Sequence, residues 1–206
     1  MWIVRWNGVC KGDSIMQQNI IWQGIEYHSL ENCIVSETEK GVSIRSVIVG
    51  DYEGVLYQVA YHLYANPQWE TERLEFMYQL RNSVKKVHLR SDTKGRWWLN
   101  DKPAPQFEGC VDVDITLTCL TNTLPIRRLD FTRERTHEIK VVYINVLEET
   151  VSPVSQQYTR QDSGLYKFEN VPNDFEALIK VDDSGFVMFY PELFERTAIV
   201  VSDYSL

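Results

Sequence analysis

The 206-residue sequence predicts a mainly β protein built as one antiparallel domain, on three observations. β-branched and aromatic residues recur at period two in short runs. Turns rich in Asp, Ser and Gly separate those runs. The connections between them are mostly of ordinary length, so about fourteen candidate strands read as a meander of hairpins and not as strand-helix-strand units.

Residues 43–49 alternate Ile44, Ser46 and Ile48 against Arg45, Val47 and Val49, and the turn Gly50-Asp51-Tyr52-Glu53-Gly54 follows. The stretch from Asn66 to Leu80 opens like a helix, with Asn66 as N-cap, Pro67 in the first turn and early glutamates. Its continuation, Glu72, Leu74, Phe76 and Tyr78 against Arg73, Glu75, Met77 and Gln79, has period two, and strands flank it, so a strand is predicted over 67–80. A hairpin turn at 91–95 precedes Trp97-Trp98, and the proline-bearing loop 101–106 separates two halves of one sheet system. Short helices are predicted at Thr121–Arg128 and Pro191–Arg196, and strands at 138–146 and 175–181. The turn-then-aromatic hairpins at 92–98 and 183–190 suggest a duplicated sheet module, about 43–99 and 138–190, within a single domain spanning 1–206.

Composition narrows the function. Hydrophobic residues make up 44% and charged residues 24%, which excludes collagen-like, low-complexity and wholly disordered chains. A net charge of −8, with basic residues clustered no further than Lys85-Lys86 and Arg127-Arg128, argues against nucleic acid as a partner, because that affinity comes from cations releasing counterions. Apolar runs such as Phe186–Tyr190 are too short to cross a bilayer, and the first residues lack a cationic leader with a cleavage site, so a cytoplasmic location is expected. Cys10, Cys33, Cys110 and Cys119 form no CxxC, and reduced thiols behaving as small hydrophobes are expected. His28, His62, His88 and His137 are isolated, so no metal is expected, and no GxSxG or phosphate-cradling glycine loop points to a cofactor.

The most unusual segment is 109–129. On a strand over 111–118, Val111, Val113, Ile115 and Leu117 share one face, and Asp112, Asp114, Thr116 and Thr118 the other. Carboxylates two residues apart on a strand stand about 7 Å from each other, so burying both requires cations or donors. Arg127 and Arg128 are the nearby cations, and on a strand only one of them would face the row. An exposed polar face with weak surface ion pairs explains the pattern equally well.

The blocks Gly109–Asp114 and Thr121–Leu129 resemble the signature of the bacterial family called putative glycolipid-binding proteins. Further matches in the same order are Leu30–Cys33, Gly95–Trp97, Gln157–Thr159, Asp182–Gly185 and Tyr190–Arg196. Asn32 departs from an expected arginine, and Cys119 stands where a proline is common. The resemblance implies an antiparallel β-roll, a many-stranded sheet curling around one short central helix, and a ligand role without an established catalytic mechanism.

Three functions follow. The first is a non-catalytic binder of an amphiphile such as a glycolipid. In that reading Asp112, Asp114, Asn122, Arg127 and Arg128 contact the polar head, with Tyr158 and Tyr190 added by the resemblance. It requires a chamber that is apolar at depth and lined with acids and guanidines at its mouth. The second is a scaffold that recruits a protein partner through the sheet. The third is a glycan or lipid hydrolase using Asp112 and Asp114 as an acid/base pair, although two carboxylates from one strand cannot easily flank a scissile bond.

Overall fold

Alternating side chains give each strand one face to bury, and the chain buries them by laying its strands side by side and curling the result. The computed structural model describes residues 14–205. The first half of the chain contributes β1 (Ser14–Gly24), β2 (Ser29–Thr38), β3 (Gly41–Tyr52), β4 (Val55–Ala65), β5 (Thr71–Leu80), β6 (Ser83–Ser91), β7 (Trp97–Leu99) and β8 (Lys102–Pro103). The second half contributes β9 (Asp112–Ile115), β10 (Thr136–Asn145), β11 (Thr150–Asp162), β12 (Leu165–Val171), β13 (Glu176–Val181), β14 (Val187–Tyr190) and β15 (Phe194–Ser205). All fifteen join one curled open sheet in the order β8-β7-β6-β5-β4-β3-β2-β1-β15-β14-β13-β12-β11-β10-β9. The seam between the halves is the antiparallel pair β1–β15, running from Ser14 opposite Ser205 to Gly24 opposite Phe194.

One pairing departs from the expected meander. β9 runs parallel to β10, with Asp112 opposite Val141 and Ile115 opposite Ile144. A parallel neighbour cannot be reached by a tight turn, so the chain between them crosses over. That crossover holds a 3-10 turn (Leu120–Asn122) running directly into α1 (Thr123–Arg128), the short central helix. Phe107, ahead of β9, and Leu117, Leu120, Leu124, Ile126 and Phe131, from the crossover, are all buried. They pack with inward residues of the sheet such as Ile44, Val59, Leu63 and Leu74 in one continuous core.

Residues 71–80 form a strand, as the period-two pattern predicts, with Leu74, Phe76, Tyr78 and Leu80 inside. The helix-start chemistry before it serves a turn: Asn66 Oδ1 accepts the backbone N–H groups of Gln68 and Glu70. The helix predicted at Pro191–Arg196 is not there. Glu192 adopts φ +65° in a tight turn, and Phe194 already pairs with Gly24 as the first residue of β15. Burial of Phe194 against the seam outweighs the local proline signal. Cys33, Cys110 and Cys119 are free and buried, and Cys10 lies outside the described residues. Among the described residues no helix is long and apolar enough to cross a membrane.

Candidate functional site

The predicted polar row divides because β9 is only four residues long and is covered on both faces. Asp112 is fully buried and meets Arg128, whose side chain is 14% exposed, through Nη2 and Oδ2. Burial raises the Asp112 carboxyl, while the Arg128 guanidinium pulls it back down. The contact is single, since Asp112 Oδ1 and Arg128 Nε find no protein partner.

Arg127, the next residue of α1, points elsewhere. Its guanidinium donates to Ser184 O at 2.7 Å and to Glu37 Oε2 at 2.9 Å, and stands over the Trp69 ring at 4.4 Å. Asp182, at the start of the same turn, is held by Arg196 from β15. Arg127 and Arg128 thus brace the central helix to both halves of the sheet, and Arg196 holds the turn to which Arg127 donates. Gly185 completes that brace at φ +81°, where an added Cβ would meet Arg127 Cδ at 2.9 Å. Gly185→Ala is expected to cost about 1–2 kcal/mol through left-handed strain and displacement of Arg127. A urea midpoint equal to that of the wild type would show that Arg127 is not positioned by this turn.

Asp114 takes a different route. Its Oδ1 accepts the Thr121 hydroxyl at 2.7 Å and its Oδ2 accepts Gln156 Nε2 at 2.6 Å. Burial raises its carboxyl, the two neutral donors lower it, and no cation stands against it. It faces a cleft of about 580 Å³ at the end of the roll, where β9 to β12 meet the β1–β2, β12–β13 and β14–β15 connections. The size is that of a small-molecule site. The buried floor is polar, formed by Thr118, Asn122 and Gln156 beside Asp114. One wall is aromatic: Phe168, Phe175 and Tyr190 lie with ring centroids 6.1–6.4 Å apart, and Phe194 continues the row from Tyr190 at 6.1 Å and to Tyr27 at 5.7 Å. Exposed Glu26, Val171, Pro172 and Asp174 form the rim. Thr116 and Tyr143 share a hydroxyl contact of 3.2 Å and separate this cleft from a second groove of about 440 Å³ that carries Tyr52, Val55, Leu80 and Leu147.

Of the seven residues singled out from the sequence, Asp114, Asn122 and Tyr190 line the cleft. Tyr158 stands behind it, 1% exposed, accepting Asn122 Nδ2 at 2.8 Å. Asp112, Arg127 and Arg128 lie away from it, so the two aspartates do not converge on one cavity as an acid/base pair would have to. The chamber is also inverted relative to expectation, with polar groups at depth and mixed acidic and apolar groups at the mouth. The reason is that the apolar interior is filled by the chain's own 104–131 segment. Asn32, the expected arginine, bonds Asn19 Oδ1 on the exposed outer face, remote from the cleft.

Gln156, Thr116, Tyr143, Phe168 and Phe175 are cleft residues that the sequence reading did not identify. For Gln156 a signal existed: it shares a strand face with Tyr158, and a glutamine on a buried face must have a partner. Among the described residues no group of three or more His, Cys, Asp or Glu converges as a metal site would need.

The family model described as Putative glycolipid-binding matches residues 19–196. A crystal structure of a DUF1089-family protein from Pseudomonas aeruginosa is similar at a TM-score of 0.72 and 29% identity, over 95% of this chain and 97% of that one. A β-barrel-like protein of the DUF1849 domain from Brucella abortus, 6% identical, matches at a TM-score of 0.50 over 94% and 99% of the two chains, a likeness of fold. No curated protein matches.

Proposed function

The chain belongs to the putative glycolipid-binding family, and on that premise we propose that it is a non-catalytic binding protein for an amphiphile whose polar head enters the cleft beside Asp114. The observation that carries this reading is the cleft's layout: buried hydrogen-bonding groups on the floor and aromatic side chains along one wall, with Phe175 the exposed ring among them. Amides and a carboxylate hold hydroxyl-rich groups directionally, and sugar faces stack on aromatic rings. A glycolipid-like head fits that chemistry; the 104–131 segment fills the apolar interior, so the ligand's chain would not enter the roll but lie along the adjoining mixed groove, past Val55, Leu80 and Leu147 and beside Glu53, Arg81 and Glu148. Asp114, Asn122 and Tyr190 would contact the head directly. Asp112, Arg127 and Arg128 would act at a distance, by holding β9 and α1 in place.

Protein purified without detergent is expected to carry a lipid adduct in native mass spectrometry, released by organic extraction. Octyl β-glucoside below its micelle concentration is expected to shift the amide resonances of Ser155, Gln156 and Asn170. Asn170→Trp, which puts an indole into the cleft from a partly exposed position opposite Gln156, should abolish the shifts at Ser155 and Gln156 and leave the melting temperature within about 2 °C, as for a surface change. A clean apo mass in repeated preparations, together with no response to octyl β-glucoside, overturns the reading. A stoichiometric protein partner retained under those conditions would favour a scaffold instead, using the exposed Leu30, Val47 and Val49 of the outer face.

A further inference from the structure

Among the described residues most buried and half-buried carboxylates have a cation, Glu70 being held instead by the Asn66 amide at 2.7 Å. Asp112 has Arg128, Glu37 has Arg127 at 2.9 Å, Asp182 has Arg196 and Glu169 has Lys167 at 2.8 Å. Glu31 has no cation, but it is sealed inside the protein under three hydroxyl donors. Asp114 alone in this set faces a cleft, with neutral donors and no cation of its own. Two more carboxylates, Glu26 and Asp174, stand on the rim, and among the described residues no Lys, Arg or His lines the cleft. Low-dielectric walls concentrate such a field, so an anion entering here is repelled and a cation is drawn in. The aromatic wall acts in the same direction, since the faces of Phe and Tyr rings attract ammonium groups.

From this juxtaposition of a cation-free carboxylate, an acidic rim and an aromatic wall in one cleft, we propose that the polar head bound here carries a protonated amine. The inference rests on the amphiphile reading and makes its head group specific. The ligand's ammonium completes Asp114 as Arg128 completes Asp112, while its hydroxyls meet Gln156 and Asn122. A phosphate, sulfate or uronate head is rejected.

The test uses three matched amphiphiles, octyl β-glucosaminide, octyl β-glucoside and octyl β-glucuronide, which differ in one substituent and carry positive, zero and negative charge. Each is titrated at pH 6.5 by calorimetry, with amide shifts confirming the site. The glucosaminide is expected to bind at least about tenfold tighter than the glucoside, as a charge-assisted contact does over a neutral one, and the glucuronide not at all. Asp114→Asn should bring the ratio of the first two close to one. Asp174→Asn, an exposed change that leaves the floor intact, should lower it by about twofold, in keeping with a solvent-screened charge. Equal binding of glucoside and glucosaminide to the wild type, or a preference that survives Asp114→Asn in a folded variant, overturns the amine assignment while the amphiphile reading stands. Failure of all three compounds to reach the cleft overturns both.

Discussion

Arg128→Ala is expected to destabilise the protein by about 3–5 kcal/mol, the usual cost of stranding one member of a buried ion pair. Asp112, fully buried at the start of β9, would keep its desolvation and lose its cation. It can then only take up a proton or drag water into the core. The double variant Asp112→Leu, Arg128→Leu should recover most of the loss, because apolar side chains of similar volume remove both charges at once. Urea unfolding of the three variants, read as a double-mutant cycle, checks this. A loss below about 1 kcal/mol in Arg128→Ala would mean that the pair does not hold β9 against α1.

The second large effect belongs to Glu31. Its carboxylate, 2% exposed on β2, accepts Ser46 Oγ at 2.6 Å, Tyr61 OH at 2.7 Å and, across the roll, Thr118 Oγ1 at 2.6 Å. It therefore ties two sheet hydroxyls and, through Thr118, the inner segment ahead of α1 to one point. Glu31→Ala leaves those hydroxyls without their acceptor and opens a hole, for an expected loss of about 3 kcal/mol or more. Glu31→Gln keeps an acceptor for Ser46 and Tyr61 and turns an amide donor toward Thr118, so it should stay within about 1 kcal/mol of the wild type at neutral pH.

The pH dependence has a definite sign. Burial raises the Glu31 carboxyl above its unfolded value, and the three hydroxyls only partly offset this. The folded state then holds the proton more tightly, so the stabilisation is fully present below the ordinary glutamate range. It is lost as pH rises from about 4 through the raised value. Glu31→Gln should flatten that decline, leaving the parts due to Asp112 and Asp114, which are raised for the same reason. Unfolding free energies at pH 5, 6.5 and 8 measure it, and an identical slope in the two proteins would contradict this role for Glu31.

Glu31 also marks where reading from sequence stops. Period two is a local property, so the strands could be read from it, including β5, whose helix-like start proved to be a turn organised by Asn66. What a polar residue meets is non-local. Thr118 reaches Glu31 over 87 positions and Arg127 reaches Glu37 over 90, and no spacing rule encodes either contact. The block 109–129 stood out because it combines charge with apolar alternation, yet that combination marks a brace and a cleft wall alike. Asp112 and Asp114, two residues apart, end in these two different settings because α1 folds back over one and leaves the other facing the opening. The aromatic wall is assembled from β12, the β12–β13 loop, β14 and β15, one ring from each, so the block Tyr190–Arg196 marks only two of its rings and nothing local marks Phe168 and Phe175.

The seam between β1 and β15 has a consequence for how the molecule is made. Every other neighbouring pair in the sheet consists of strands that follow each other along the chain, and all of these but the parallel β9 with β10 are antiparallel, so both arms can zip up largely by hairpins as translation proceeds. β1, by contrast, waits for a partner some 180 residues downstream, a closure that is entropically slow. Until residues 194–205 leave the ribosome, the nascent protein carries an eleven-residue strand with one hydrogen-bonding margin bare, the kind of margin that recruits a neighbouring nascent chain. Synthesis of the last strand is the moment at which that hazard ends.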